Sequence, residues 1–194
     1  MVVTDAVHAM MQQLEKNPAI ENWGDLGTKM EKVRTKVGEL INTDPEDVIL
    51  TRNTTEGLSL ISQSLKLNKG DEILTTTHEH GGGEVGLEYM AATQGAVIKK
   101  LQIPVPATSK EAVIEAVVNN ITPKTKVVML SHVNTLTGLR MPFDEISKIT
   151  KPKGILLIAD GAQAAGLISV DVKSMGVDAY AASGHKWMLG PKET

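Results

Sequence analysis

The sequence predicts an α/β fold built on a mostly parallel sheet, and three observations lead there. Short apolar runs alternate with stretches of helical periodicity through most of the 194 residues. Two runs, Val127-Val128-Met129-Leu130 and Ile155-Leu156-Leu157-Ile158-Ala159, are apolar without interruption, as in strands covered on both faces. Between the runs, Pro104-Val105-Pro106-Ala107-Thr108 and Lys151-Pro152-Lys153-Gly154 carry the residues of loops.

The elements follow in chain order. Residues 1–45 form an expected N-terminal helical segment, where Leu26, Met30, Val33, Val37 and Leu40 predict an amphipathic helix over Asp25–Ile41. Residues 46–194 are expected to be one larger domain, truncated at its C-terminal end, with a first strand at Val48–Thr51. Leu58, Ile61 and Leu65 then stripe a helix over Thr55–Leu67, ended by Asn68 to Gly70. Further strands are expected at Glu72–Thr77, Ala96–Ile103, Lys126–His132, Ile155–Asp160 and Ala179–Ser183. Helices over Glu84–Thr93, Lys110–Asn120 and Phe143–Lys151 complete the set, with no repeat or low-complexity tract. Leu189-Gly190-Pro191-Lys192-Glu193-Thr194 has turn residues but nothing after them to pack, as expected of a fragment or a truncated chain.

Composition narrows the function classes. Hydrophobic residues at 41% and charged residues at 22% suit a soluble globular domain large enough to bury a core. A net charge of −3 and a pI near 6.0 leave no basic footprint, so no nucleic-acid partner is expected. No apolar run reaches membrane-spanning length and Met1 to Lys16 lacks a signal-peptide layout, so no membrane is expected. The absence of cysteine removes disulfides, thiolate metal sites and thiol nucleophiles from this segment, and a cytoplasmic location is expected.

An aldehyde cofactor of the pyridoxal kind needs an amine for a Schiff base and an anion that keeps its ring nitrogen protonated. Lys186, in Ala182-Ser183-Gly184-His185-Lys186-Trp187, offers the amine, and Asp160, directly after the Ile155–Ala159 run, offers the anion. Each has a plainer reading: a strand-end Asp often caps the next turn, and most lysines are solvated. Gln163 beside Asp160, and apolar Trp187, Met188 and Leu189 beside Lys186, favour chemistry, since a partly buried amine is the more nucleophilic.

Two further stretches belong to the same picture. In Thr51-Arg52-Asn53-Thr54-Thr55-Glu56-Gly57 a strand end runs into a helix, where Thr54, Thr55 and the first helical amides make an anion site. One of those threonines also suits a simple N-cap. His78-Glu79-His80-Gly81-Gly82-Gly83-Glu84-Val85-Gly86 contains a G-x-G-x-x-G match, but Lys99 to Ile103 lack the acidic residue that a dinucleotide fold wants there. His78 and His80 find no further ligand cluster of suitable spacing, so no metal is expected. The flat His80 imidazole suits stacking on a cofactor ring, or a plain loop position.

From about Val33 to Thr194, these residues in this order resemble the class V aminotransferase family. Its members are fold-type I pyridoxal-phosphate enzymes and include cysteine desulfurases and isopenicillin-N-epimerase-like proteins. The resemblance implies the three-layer αβα sandwich of that fold's large domain, without its C-terminal small domain. It implies pyridoxal 5'-phosphate bound through Lys186, with Thr54, Thr55, Ser183 and His185 on the phosphate, His80 on the ring face and Asp160 on the ring nitrogen. Gln163 and Asn134, from Ser131-His132-Val133-Asn134-Thr135-Leu136-Thr137-Gly138, would reach the phenolic oxygen, with Thr137 a second choice to Asn134.

The implied catalytic residues are Lys186, Asp160 and His80. The implied activity is transamination, epimerisation or C–S cleavage of an amino acid in a homodimer, with the freed Lys186 amine as general base. Three residues between Lys186 and Gly190-Pro191, where desulfurases usually have two, lean with the Gly81–Gly83 triplet toward the epimerase-like branch. Competing expectations are a non-catalytic cofactor-binding domain and a cysteine desulfurase fragment.

Overall fold

In the computed structural model, which describes residues 2–20, 24–192 and 194, five strands lie side by side and all run in parallel. They are β1 (Glu72–Thr76), β2 (Val97–Leu101), β3 (Thr125–Ser131), β4 (Leu156–Asp160) and β5 (Ala179–Ala181), in the order β2-β1-β3-β4-β5. Helices α4 (Thr54–Ser64) and α5 (Gly81–Gln94) cover one face, while α6 (Lys110–Val118), α7 (Phe143–Thr150) and α8 (Val172–Met175) cover the other. The αβα sandwich is therefore present.

Strand alternation builds both cores from the same runs. Val127, Met129 and Ile158 point to α4 and α5, where they meet Leu58, Leu87 and Met90. Val128, Leu130, Leu157 and Ala159 point to the opposite layer, where they meet Val113, Phe143 and Ile146. All of these are at most 2% exposed, which is why β3 and β4 are apolar without a break.

Two expectations need correction. Val48–Thr51 is not a strand: Val48 has extended backbone angles, but the segment pairs with no other among the described residues and leaves Ile49 80% exposed. An extended run without a ladder partner is only a connector, here leading into α4. The helix expected to begin at Glu84 begins at Gly81, because His80 caps it and the glycines form its first turn.

The N-terminal part is helical where described: α1 (Val2–Lys16), a short α2 (Pro18–Ile20) and α3 (Leu26–Ile41). Residues 1 and 21–23 of the expected 1–45 segment, and residue 193 of the expected C-terminal turn, lie outside the described residues. The α3 helix ends at Asn42 in the left-handed conformation (φ 55°), and Arg34 ties it to the following 3-10 turn by two bonds to the Pro45 carbonyl (2.9 and 3.1 Å).

Topology places the site. From β1 the chain goes through α5 to β2 at one edge, then crosses the other face through α6 to β3 on the far side of β1. Connections leave β1 and β3 on opposite faces, so a crevice opens at their carboxyl ends.

Candidate active site

A cavity of about 400 Å³ lies at that rim. Each wall comes from a different strand end: His80 and Gly83 after β1, Thr135 after β3, Asp160 and Ala162 at β4, and Ser183, His185 and Lys186 after β5. Asn53, Thr54 and Thr55 close it from the start of α4, and Lys192 adds a second cation.

Asn53 is the N-cap of α4: its Oδ1 accepts from the Glu56 N–H at 2.9 Å. Neither threonine is needed as the cap, and both enter the first turn facing the cavity. Thr54 is buried and joined to the end of β5, with its N–H donating to Ser183 Oγ at 3.2 Å and the two hydroxyls 2.6 Å apart. Helix amides and hydroxyls from two distant segments thus form one anion cradle.

Strand alternation sends the Asp160 side chain to the α4/α5 face, the same side as Ile158. Burial pushes its carboxyl above the ordinary value, opposed by the Ala162 N–H at 2.9 Å and by Lys186 and His80 nearby. Its Oδ2 lies 3.1 Å from where a Cβ at position 83 would stand, so the glycine leaves that oxygen open. A hydrogen-bond donor or cation entering the cavity at that oxygen would favour the charged carboxylate.

Behind Asp160 stands a packed group of rings. A Cβ on Gly161 would come within 2.1 to 2.3 Å of the Tyr180 ring, so only glycine fits there. Tyr180 Oη lies 3.3 Å from His132 Nδ1, and His132 meets Tyr180 and Phe143 edge-on at 6.0 and 5.6 Å between ring centres. Burial, then the Asp160 charge, raises the Tyr180 phenol, while burial and the Arg140 charge push His132 down to about 4.

His80 caps α5, with Nδ1 accepting from the Gly82 N–H at 3.1 Å, which fixes its ring at the cavity mouth. His185 sits between the cavity and Thr194, whose carbonyl faces its backbone N–H (3.1 Å) and Nδ1 (2.9 Å). Lys186 lines the cavity and is half-buried, yet its neighbours Trp187 and Leu189 are 48% and 74% exposed. The apolar neighbours are therefore not what shelters it; the cavity walls are.

Two expected residues stand apart from this lining. Asn134 donates from Nδ2 to the His78 carbonyl (2.6 Å), and its Oδ1 accepts from the Leu136 and Thr137 N–H groups and the Thr137 hydroxyl (3.0 to 3.2 Å). That set shapes the loop after β3, and the neighbouring Thr135 faces the cavity. Gln163 Oε1 accepts from the Trp187 indole N–H at 2.8 Å, which leaves its Nε2 as the end free to donate. Thr135 and Lys192 are lining residues that sequence reasoning missed, and no pattern around them signals it; Gly83 also lines the cavity and shows in the sequence only as part of a glycine triplet.

The arrangement defines a class: an open parallel α/β domain whose strand-end cavity sets an amine opposite a buried carboxylate, beside an anion cradle. Residues 2–193 match the family pattern described as Aminotransferase class-V, and the chain belongs to that family. It is 33% identical over 161 residues to the isopenicillin N epimerase of Amycolatopsis lactamdurans, covering 81% of this chain and 40% of that protein. It is 35% identical over 177 residues to a probable cysteine desulfurase of Halalkalibacterium halodurans, covering 89% of this chain and 43% of that one.

Among solved structures, the cystine C-S lyase C-DES in complex with its product cysteine persulfide matches with a TM-score of 0.92 at 30% identity. The match covers 99% of this chain and 52% of C-DES. A C-DES variant with glycine covalently linked to its PLP cofactor matches at TM-score 0.89 and 29% identity, covering 99% of this chain and 51% of that one. The chain thus spans about two fifths of these curated relatives and half of C-DES.

Proposed function

We propose that this chain is the cofactor-binding half of a pyridoxal 5'-phosphate-dependent enzyme acting on an amino acid. The observation that carries the reading is the single cavity on which Lys186, the buried Asp160 and the Thr54/Ser183 cradle all open. The group fits these residues: the cradle suits its phosphate, the open Asp160 carboxylate its ring nitrogen, and His80 its face. Once bound, pyridoxal phosphate supplies an aldehyde for the lysine amine and an electron-withdrawing ring.

The chain's own residues do the rest. Lys186 Nζ would hold the aldehyde end of the cofactor, and it is the amine placed to take a proton from a substrate α-carbon and to return it. The buried Asp160 carboxylate would hold the ring-nitrogen end, where its negative charge would favour a protonated ring. Thr54, Thr55, Ser183 and His185 fix the phosphate end. The Gln163 amide, oriented by Trp187, is the donor proposed for the phenolic oxygen, together with Asn134.

The match to C-DES along nearly the whole chain favours C–S bond cleavage, and the epimerase relative keeps epimerisation as the second outcome. Residues 46–194 as the cofactor domain and a homodimeric state complete the proposal and rest on the family resemblance, and a cytoplasmic location rests on the cysteine-free composition. No helix among the described residues is long and apolar enough to cross a membrane.

The test is direct. Pyridoxal phosphate added to the chain should produce a visible absorption band that borohydride fixes covalently, with the label mapping to Lys186. Lys186→Ala should lose the band entirely. Label on another lysine, above all Lys192 in the same cavity, would sink the assignment.

A further inference from the structure

Glu79 is used by none of the roles above, yet it occupies the crevice between the ends of β1 and β3, whose connections leave on opposite faces of the sheet. It lies in the turn between β1 and α5, half-buried, immediately before His80. Its Oε1 accepts from the Thr76 hydroxyl at the end of β1 (2.7 Å). Its Oε2 accepts from both the N–H and the hydroxyl of Ser131 at the end of β3 (3.0 and 2.5 Å). Three donors from two strands converge on one carboxylate. Ser131 is in turn the register partner of Asp160 on β4, and the Asp160 carbonyl accepts from the His132 N–H at 2.7 Å.

We propose that Glu79 is a positioning residue of the cofactor site. Its carboxylate bridges the ends of β1 and β3, holds the turn that presents His80, and sets a second negative charge behind Asp160. The inference rests on the pyridoxal-phosphate reading above and names a residue that supports it without touching the cofactor.

Parallel strands on either side of a reversal have no connecting loop to hold their carboxyl ends together, since their connections leave on opposite faces. A side chain with two acceptor oxygens can bond to both ends, and charge-assisted bonds are the stronger kind. Asp160 on β4 is the charge that faces Glu79 past Ser131; β1 and β3 face it with the hydroxyls of Thr76 and Ser131, and His78 and His80 flank it in its own turn. Burial raises the Glu79 carboxyl despite its donors, and the Asp160 charge adds to the rise. A negative charge there strengthens the hold on any proton or cation at the Asp160 end of the cavity.

Glu79→Gln tests this because it keeps the shape and the acceptor for Ser131 while removing the charge. With pyridoxal phosphate bound, the pH midpoint of the visible band should fall by about half a unit or more, since a lost negative charge makes the bound proton easier to remove. Glu79→Ala, which also removes the bridge, should weaken pyridoxal phosphate binding about tenfold, the loss of roughly one net charged hydrogen bond.

A second reading needs no cofactor. A carboxyl raised in the folded state stabilises below its unfolded value of 4.5 and loses that contribution as pH rises. Cofactor-free Glu79→Gln should therefore melt higher than the parent at pH 7.5, with the gain gone near pH 4.5. If Glu79→Gln does not fold, Thr76→Val, which removes the Oε1 donor, should lower the band midpoint by a smaller amount; no shift there overturns the proposal. A Glu79→Gln protein with the parent's band midpoint and the parent's pH–stability profile also overturns it. A parent chain that forms no band defeats the pyridoxal-phosphate reading instead, and the cofactor-free melting curves still decide the buried charge.

Discussion

Asp160, Glu79 and His132 stand within one small region and respond to pH in opposite directions. Asp160 and Glu79 are raised by burial, so each contributes stability at low pH and loses it as pH rises. His132 is lowered to about 4 by burial and by Arg140, so the folded protein holds it neutral where the unfolded chain would protonate it. Its contribution is present above the ordinary value of 6.5 and is lost as pH falls through 4. We expect His132→Phe, which keeps an aromatic ring beside Phe143, to flatten the acid limb of stability between pH 6.5 and 4. Thermal unfolding at a series of pH values reads this, and an unchanged limb means other groups carry it. At this scale the sequence made Asp160, Lys186, His80 and the Thr54–Thr55 pair legible, because each sits in a local pattern with a chemical reason. It did not make Thr135 legible, since which side chain of the Asn134 loop faces the cavity depends on a hydrogen bond to His78, 56 residues away.

Among the elements, α4 and α5 matter most, since both begin at the cavity and pack closely against each other. Glycines make that approach possible. A Cβ on Gly82 would lie 2.5 Å from Thr55 Oγ1, and one on Gly86 would lie 2.5 Å from Ser62 Oγ and 3.3 Å from the Leu58 carbonyl. Within the G-x-G-x-x-G match, Gly86 and the intervening Gly82 let the two helices approach, and Gly83 clears room for Asp160. Gly86→Ala should destabilise the fold by about 1–3 kcal/mol through overpacking, although alanine is the better helix former. Urea unfolding measures it, and a stabilised variant would show that the helices can separate without cost. The sequence displayed these glycines but not their purpose. Helix glycines cost stability locally, so the start of α5 looked like loop until its partner helix was in view.

For the whole molecule, the groups of the proposed site come from strand ends, from the turns that follow them and from the starts of helices. Ligand binding should therefore stabilise the entire sheet rather than one loop. Pyridoxal phosphate at a hundred times its dissociation constant should add about 2.7 kcal/mol. For a chain of this size that is a rise of roughly 5–10 °C in melting temperature. Calorimetry with and without the cofactor checks this, and the rise should shrink in Lys186→Ala.

The sequence by itself determined the fold class, the two buried central strands and the ordered set of residues around Asp160 and Lys186. Those follow from periodicity and local chemistry, which act over a few residues. Tertiary structure alone decided the strand order β2-β1-β3-β4-β5, and with it the crevice that gathers the site and the place of Glu79 across it. It also left Val48–Thr51 without a strand partner among the described residues. Strand pairing is a contest between distant segments for the same backbone donors and acceptors, and no local pattern records which segment wins.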